Sequence, residues 1–511
     1  MSNQTSDNNK RIAKNTLLLY FRMFVMMAVS LFTSRVILQT LGVEDFGIYN
    51  VVGGIVAMMG MFNGAMSSSI QRYLSYEIGK ENKEQLRKTF NVCFFIYVFM
   101  CIVFLLAAET VGLWFLNTQL VIPNDRIIAA NWVYQFSIFS VVNSLLVNPY
   151  NATIISHEKM GVFAYISILE VILKLVIVYL LLIIPIDRLI VYGFLFMLMS
   201  VAITMVYRIY CIRHFPESHI KWYSDRVLFK QLLSYSGWNL FGSVAGVVKG
   251  QGLNILLNMF FNPSVNAARG IAYQINTQVS NFFSNFYTAV RPQITKYYAQ
   301  GKLNEMTTLV FQSSKFAYYL ILLLSLPIIV EAPFIIDLWL GQLPEYVVQF
   351  VRIILVVTAV DAMANPIMTT AHATGKIALY QSVVGTMTIF NIPISYMVLK
   401  YGNSPVSVFV VSLLISVLCM FTRLLIVRKL VNFPVKLYIK QVYGRVILVT
   451  VFSLILPLIL YRSFEVNLWS AIFVCSVCLV STCISVYSFG LTKHERLSIV
   501  AYVTGKIKRL R

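Results

Sequence analysis

The sequence SIQRYLSYEIGK (residues 69–80) returns in altered form as VRPQITKYYAQGK (residues 290–302). Four residues coincide when the stretches are aligned, in the pairs Gln71 and Gln293, Tyr76 and Tyr298, Gly79 and Gly301, and Lys80 and Lys302. Further pairs in the same order are Gly47 and Gly270, Ile48 and Ile271, Asn148 and Asn365, Pro149 and Pro366, and Lys159 and Lys376. Any single pair arises easily by chance, but their common order predicts an internal duplication with a period of about 220 residues.

The segments around these pairs are long and apolar. Hydrophobic residues make up 58% of the 511 residues and charged residues only 12%, whereas charged residues are roughly a quarter of an ordinary soluble domain. Apolar runs of about 20 residues are long enough to cross a bilayer as helices. We predict fourteen such spans, near residues 15–38, 46–69, 90–116, 128–155, 161–184, 189–211, 232–261, 270–290, 315–340, 347–371, 377–399, 405–427, 445–462 and 467–490.

The duplication places six spans in each copy, so both copies enter the membrane in the same direction. We therefore predict an all-α membrane protein with two pseudo-symmetric six-helix lobes around a central cavity, an architecture typical of alternating access. The predicted domains are an N-lobe over residues 1–230, a C-lobe over residues 231–430, and two appended spans with a basic tail over residues 431–511.

Basic residues decide the orientation of the spans. The chain has 41 Lys and Arg against 20 Asp and Glu, and about three quarters of the basic residues fall on the side of the N-terminus. This positive-inside bias predicts that both termini are cytoplasmic, in a bacterial inner membrane. The basic clusters lie at residues 72–88, 208–230, 423–445 and 505–511. Because they adjoin the membrane, they indicate binding to anionic lipids and not to nucleic acid.

Ionisable side chains inside the predicted spans are the clearest functional signal, because each costs about 2.5 to 3.5 kcal/mol at a helix centre if it faces lipid. A cationic lumen would bind an anionic substrate group such as a diphosphate. The candidate cations are Arg22 and Arg35 in span 1, Lys174 in span 5, Lys249 in span 7 and Arg269 at the start of span 8. Arg35 is near the end of its span, where a long side chain can instead reach the interface.

Two acidic residues also lie in the spans. Glu170 and Lys174 are four residues apart in the favourable order, so they form either a structural ion pair or part of the substrate site. Asp361 lies one turn before Asn365, and it either binds a coupling proton or sodium ion or pairs with Lys249 or another lumen cation. The sequence leaves both alternatives open for each acid.

Helix-breaking residues recur at equivalent places in the two copies. Asn148 and Pro149 in span 4 and Asn365 and Pro366 in span 10 are candidate hinges, with a packing kink as the alternative.

The sequence predicts neither a metal site nor a cofactor. His157 and Glu158 begin an HExxH-like stretch, but position 161 is Gly and no second His follows. Cys475 and Cys478 form CxxC inside an apolar span, where core packing is the expected role. The predicted outer loops are too short for a catalytic domain, so we expect no catalytic residues and a protein that is not an enzyme.

The beginning of the chain resembles a known family. The stretches NTLLLYFRM (residues 15–23) and SRVILQTLGVEDFGIYNVVGGIV (residues 34–56) are similar to the start of the polysaccharide-biosynthesis flippases of the O-antigen type. These belong to the multidrug/oligosaccharidyl-lipid/polysaccharide exporter (MOP) superfamily, with the multidrug and toxin extrusion (MATE) antiporters and the lipid II flippase. The shared features are an Arg near the outer end of helix 1, the LG pair, an acidic loop and FGIYN.

The resemblance implies alternating access and export of an undecaprenyl-diphosphate-linked oligosaccharide, as the repeat unit of an O-antigen, capsule or exopolysaccharide. It also implies a lumen lined by cations, for which Arg22, Lys249 and Arg269 are the available positions. Twelve helices are usual for the O-antigen type, and the two further spans are more like the lipid II flippase, whose added pair forms a groove for the lipid tail. The class of substrate therefore depends on which branch the chain follows.

The runner-up function is a cation-coupled multidrug antiporter of the same superfamily. That branch has an acidic site in the N-lobe, and spans 1 to 4 contain no clear buried acid, which argues against it. The expected partners are the undecaprenyl-diphosphate-linked glycan and anionic membrane lipids, with polysaccharide polymerase or assembly proteins as further candidates and no nucleic acid.

Overall fold

The computed structural model of the protein describes most of the chain after residue 59. The described ranges there are 60–118, 122–184, 186–223, 225–261, 263–340, 343–464, 467–493 and 495–497. Before residue 60 the described residues are 12, 14–27, 29, 33, 36, 37, 40, 41, 45, 48, 49 and 52. The predictions for Arg35, for Gly47 and for the basic tail at residues 505–511 lie outside the described residues.

Every regular element in the described part of the chain is a helix, which confirms the all-α fold class. In chain order these helices are α1 (residues 14–27), α2 (Gly60–Gly79), α3 (Lys83–Ala107), α4 (Leu113–Thr118), α5 (Ile127–Ser156), α6 (Met160–Ile183), α7 (Arg188–His214), α8 (Arg226–Phe260), α9 (Pro263–Ala299), α10 (Leu303–Val330), α11 (Ala332–Leu340), α12 (Val347–Ala373), α13 (Ala378–Ile389), α14 (Asn391–Lys400), α15 (Val406–Val431), α16 (Val435–Tyr438), α17 (Gly444–Ser463) and α18 (Leu468–Ser485). Short π-helical segments continue α3, α16 and α18, at Ala108–Gly112, Ile439–Tyr443 and Val486–Gly490.

Eleven helical segments within the described residues are long and apolar enough to cross a membrane. They are Lys83–Thr118, Ile127–Ser156, Met160–Ile183, Arg188–His214, Arg226–Phe260, Leu303–Val330, Val347–Ala373, Ala378–Lys400, Val406–Val431, Val435–Ser463 and Leu468–Gly490. Each overlaps one of the fourteen predicted spans. Predicted spans 1 and 2 lie partly outside the described residues, and α9, at predicted span 8, is long but more polar. The total of fourteen therefore stays a prediction.

The helices divide into two compact units. The first, here the N-unit, consists of Met1–Ser243 and Thr288–Gly301, and the second, the C-unit, consists of Val244–Tyr287 and Lys302–Arg511. The division between units falls inside α8 and inside α9. The predicted domain bounds at residues 230 and 430 were derived from the sequence repeat and not from contacts, so they stay a prediction.

Each unit has a long central helix. In the N-unit, α5 packs against α2, α3, α6 and α7, and its apolar side chains enter one continuous core. In the C-unit, α12 packs between α10 and α15. The appended helices α17 and α18 pack against each other and against α10. An ion pair fixes the following segment to the same helix, because Lys315 Nζ lies 2.9 Å from Glu495 Oε2 with both side chains buried.

The two central helices carry the same local motif, Asn-Pro-x-x-x-Thr, at residues 148–153 and 365–370. In both, the Asn side chain and the Thr hydroxyl donate hydrogen bonds to carbonyl oxygens one turn earlier in the same helix. The four bonds run from Asn148 to Ser144 (2.8 Å), Thr153 to Pro149 (2.9 Å), Asn365 to Asp361 (3.0 Å) and Thr370 to Pro366 (3.0 Å). The repetition of this pattern supports the internal duplication.

The pairs that first indicated the duplication also have structural roles. Tyr76 at the end of α2 and Tyr298 at the end of α9 lie in the N-unit with ring centroids 6.4 Å apart. Gly79 lets these helix ends approach closely, since a Cβ atom there would be 2.8 Å from the Cβ of Ala299. Its equivalent, Gly301, instead has a positive φ of 71°, which glycine adopts without strain.

Candidate functional site

The N-unit holds a cluster of charges on α1 and α6. The Arg22 guanidinium lies over the ring of Phe163 at 4.2 Å and interacts electrostatically with Glu170 and with the hydroxyl of Tyr207 on α7. Lys174 Nζ is 2.7 Å from Glu170 Oε1, and each of these side chains is about one-third exposed. The cluster therefore contains two cations for one carboxylate. A cation stacked on an aromatic ring keeps its charge available for a further anion.

The C-unit holds a second cluster on α8, α12 and α15. Asp361 Oδ1 lies 3.6 Å from Arg423 Nη1 and accepts a hydrogen bond from the Ser416 hydroxyl. Lys249, Asp361 and Arg423 each interact electrostatically with the thiol of Cys419. Lys249 makes no hydrogen bond or ion pair with the residues that the structure describes. Here too, two cations accompany one carboxylate.

Comparisons with known proteins identify the fold. No protein-family model and no curated protein matches the sequence. Among solved structures, an outward-facing multidrug resistance MATE family transporter of the MOP superfamily is 12% identical, with a TM-score of 0.69 over 83% of this chain and 96% of that one. The Vibrio cholerae MATE transporter VcmN in its bent form is 15% identical, with a TM-score of 0.67 over 84% of this chain and 98% of that one. A MATE in complex with MaD3S is 12% identical, with a TM-score of 0.68 over 83% and 97%.

This chain has the MATE fold.

Sequence identities of 12 to 15% establish the fold and leave the substrate open. The MATE fold agrees with the all-α fold that the sequence predicts.

Arg423 is a charged neighbour of Asp361 that the sequence analysis did not name as a site residue. It belongs to the basic cluster at residues 423–445 and also to the predicted span 405–427, and the structure has it inside α15, eight residues before the helix ends at Val431. Its side chain is only 16% exposed, while that of Asp361 is 42% exposed. The acid at residue 361 was the available signal, because an acid in a membrane-spanning helix commonly pairs with a cation.

Arg269 is held by helix α8. Its Nη2 donates to the Gly250 carbonyl at 2.6 Å, its Nη1 donates to Asn254 Oδ1 at 3.2 Å, and its guanidinium lies over the Tyr273 ring at 4.3 Å. These contacts join the start of α9 to the middle of α8. Its predicted substrate role stays a prediction.

The candidate hinge residues lie in unbroken helices. Pro149 is inside α5 and Pro366 is inside α12, and the Tyr287 hydroxyl donates to the Asn365 carbonyl at 3.3 Å and also contacts the Thr369 hydroxyl. A proline inside an unbroken helix is compatible with both a hinge and a packing kink, so the hinge stays a prediction.

The turn between α5 and α6 carries an ion pair and a His–carboxylate contact that the sequence did not reveal. Glu158 has a φ of 58°, and its Oε1 lies 2.6 Å from Lys296 Nζ near the end of α9, with side-chain exposures of 1% and 12%. His157 Nε2 lies 2.6 Å from Glu217 Oε1. The stretch that resembles the beginning of HExxH therefore binds neighbouring helices within the N-unit.

Proposed function

We propose that the protein is a flippase that moves an undecaprenyl-diphosphate-linked oligosaccharide from the cytoplasmic to the outer leaflet of a bacterial inner membrane by alternating access. The MATE fold supports a transporter of this superfamily, and the sequence resemblance supports the glycan branch. We further propose that basic juxtamembrane segments bind anionic lipids and that polysaccharide polymerase or assembly proteins are partners.

The observation that carries the proposal is the sign of the charge in the two clusters. Arg22 and Lys174 accompany one acid in the N-unit, and Lys249 and Arg423 accompany one acid in the C-unit. Each cluster thus has a net charge of +1, and apart from Arg22 on α1 its charges lie on helices of membrane-spanning length. A diphosphate carries several negative charges and is recognised by such cations through charge-assisted hydrogen bonds.

Cation-coupled multidrug efflux is the second candidate, because MATE transporters share the fold. Glu170 and Asp361 are the acids that could bind a coupling ion, and Asp361 is the more exposed of the two. Both acids, however, are already accompanied by two cations. A cationic drug would meet net positive charge at either cluster, which disfavours its binding.

The test is the lipid-linked oligosaccharide pool of the native cell after deletion of the gene. We expect the undecaprenyl-linked precursor to accumulate on the cytoplasmic side and the surface glycan to fall, with the wild-type chain restoring both. Lys249→Gln and Arg22→Gln should restore transport at least about tenfold less well, because each removes a charge-assisted contact to the diphosphate.

The matched control is Lys400→Gln, at the end of α14 and outside both clusters, which should complement fully. All variants need equal membrane levels. If deletion leaves the precursor and the surface glycan unchanged but sensitises cells to cationic drugs, the flippase proposal is wrong and the efflux alternative replaces it.

A further inference from the structure

Helix α9 has two chemically different faces. Its apolar face enters the core of the C-unit through Ala268, Ala272, Val279 and Phe283. Between Arg269 and Arg291 the sequence contains no charged residue. Neutral polar side chains therefore make α9 less hydrophobic than the other long helices.

The opposite face exposes three amides. At 100° per residue, Gln274, Gln278 and Asn281 lie at positions i, i+4 and i+7, so they form a single stripe about 10 Å long. All three side chains are exposed. Within the described residues their amide groups make no hydrogen bond. By contrast, the neighbouring Thr277 hydroxyl donates to the Tyr273 carbonyl of the same helix at 2.8 Å.

The amide face is also open. Gly270 lies on the same side of α9, and a Cβ atom added there would meet no described atom within 4 Å. The open space at Gly270 is a second observation, independent of whether the amides form hydrogen bonds. It shows that the stripe is not a surface on which another described helix packs.

An unpaired amide at membrane depth needs a polar environment. Helix α9 connects α8 and α10, both of which have the length and hydropathy of membrane spans, and an amide left without partners in hydrocarbon costs several kcal/mol by transfer measurements. The stripe must therefore face water or a polar ligand.

The duplication provides an internal control for the role of these residues. The repeat aligns Gln274, Gln278 and Asn281 with Val52, Val56 and Met59 of the first copy, and a shift of one residue also gives apolar partners. The first copy of the repeat thus has apolar residues at all three aligned positions. The fold itself does not require amides here, which indicates that their role is specific to the second copy.

We propose that the stripe formed by Gln274, Gln278 and Asn281 binds the neutral, hydroxyl-rich glycan of the transported lipid. This inference rests on the proposed flippase function. In it, the cations bind the diphosphate of the lipid-linked glycan and the amides bind its sugars. A carboxamide both donates and accepts, as a sugar hydroxyl does, so the two can form paired hydrogen bonds. Because the stripe is uncharged, it binds sugars without the desolvation cost of an ion.

The experiment compares two probes on the purified full-length protein in lipid nanodiscs. One is undecaprenyl diphosphate carrying the complete oligosaccharide from the parent cells, and the other is undecaprenyl diphosphate carrying a single sugar. The test variant combines Gln274→Leu, Gln278→Leu and Asn281→Leu. We expect its affinity for the complete glycan to fall by about tenfold or more, and its affinity for the single-sugar probe to change by less than about twofold.

Two controls keep the result interpretable. Thr277→Val lies beside the stripe but removes a hydroxyl bonded to its own helix, and it should bind both probes as the wild type does. The amide-preserving variant Gln278→Asn with Asn281→Gln should retain glycan binding better than the leucine variant, even if the latter is poorly folded.

The possible outcomes separate the inference from the proposed function. Equal losses for both probes, or no loss for either, would show that the stripe is merely a hydrated surface and would overturn the inference. A wild-type protein that binds neither probe would overturn the proposed function instead.

Discussion

Arg126 pairs with two carboxylates of the N-unit. Its Nη1 lies 2.7 Å from Asp187 Oδ2, and its Nε donates to Asp45 Oδ1 at 2.8 Å. Asp187 is also the N-cap of α7, where it accepts from the backbone N–H groups of Leu189 and Ile190. The topology predicted from basic residues places all three residues on the outer side. A single guanidinium therefore joins the starts of α5 and α7 to Asp45.

We predict that this contact stabilises the N-unit at neutral pH and not in acid. Burial opposes ionisation of Asp187, but hydrogen bonds from Arg126 and from the helix N–H groups outweigh it and hold the pKa of Asp187 below its ordinary value. A lowered pKa in the folded state stabilises the fold above the unfolded value of about 4, and the benefit disappears as the pH falls through the folded pKa.

The test is Asp187→Asn, because asparagine caps helices as well as aspartate and removes only the charge. Near pH 7 the variant should be less stable by about 1 to 2 kcal/mol, measured by thermal unfolding in detergent. This difference should shrink steadily below about pH 4. A difference that is constant with pH would mean that the shape of the side chain matters and its ionisation does not.

Glu158 and Lys296 form a more deeply buried pair, whose side chains are 1% and 12% exposed. Removing one partner leaves an uncompensated buried charge, so we expect Lys296→Met to destabilise the protein by about 3 to 5 kcal/mol. The double variant Glu158→Gln with Lys296→Met removes both charges and should recover much of that loss. The measurement is a double-mutant cycle of unfolding free energies, and additive losses would show that the pair is not energetically coupled.

Arg22, Lys249 and Asp361 could be selected from the sequence because each is a lone charge in an apolar run, and their roles stay predictions. Arg423 was counted in a basic cluster that also contains Arg428 and Lys429. Only the structure shows that its guanidinium lies 3.6 Å from Asp361 Oδ1. Which two charges form a pair depends on how their two helices pack against each other. The spacing of residues within one helix does not give that information.

At the scale of elements, the two Asn-Pro-x-x-x-Thr motifs allow the hinge hypothesis to be tested. A proline inside a helix loses one backbone hydrogen bond, and at Pro366 the carbonyl that lacks its N–H partner is that of Ala362. We predict that Pro366→Ala stabilises the protein by about 1 kcal/mol or more, because the helix regains its regular hydrogen bond. If α12 must bend during transport, the same change should slow transport severalfold.

The matched control for this prediction is Pro457→Ala. Pro457 is also inside a helix, but α17 lies outside the duplication. It should raise stability in the same way and leave transport unchanged, with unfolding temperature and surface glycan as the two readouts. If Pro366→Ala stabilises the protein and transports at the wild-type rate, the proline is a packing kink.

Helices were predictable from hydropathy wherever lipid contact demands apolar side chains, and eleven of the predicted spans match helices of sufficient length and hydropathy. Helix α9 shows the limit of that signal. Its 37 residues form one continuous helix, but its amides make the stretch too polar for a hydropathy criterion. Span 8 is predicted from the sequence at residues 270–290 as an apolar run, and α9 is helical there, but whether it crosses the membrane stays a prediction.

At the scale of the whole molecule, the orientation of every span after α9 depends on whether α9 crosses the membrane. At about 1.5 Å per residue the helix is roughly 55 Å long, which exceeds the hydrocarbon thickness of about 30 Å. Its C-terminal end carries Arg291 and Lys296, and Lys302 follows it, so the positive-inside rule places that end in the cytoplasm. We therefore predict that α9 spans the membrane although its composition is polar.

Reporter fusions provide the measurement. Alkaline phosphatase fused after residue 262, between α8 and α9, should be active because it lies outside, whereas a fusion after residue 301 should be inactive and green fluorescent protein there should fluoresce. A pair of fusions after residues 230 and 511 should both report cytoplasm. If the fusions after 262 and 301 report the same side, α9 does not cross, every later span is inverted, and the C-terminus lies outside. In that case the predicted orientation, on which transport towards the outer leaflet depends, would be wrong.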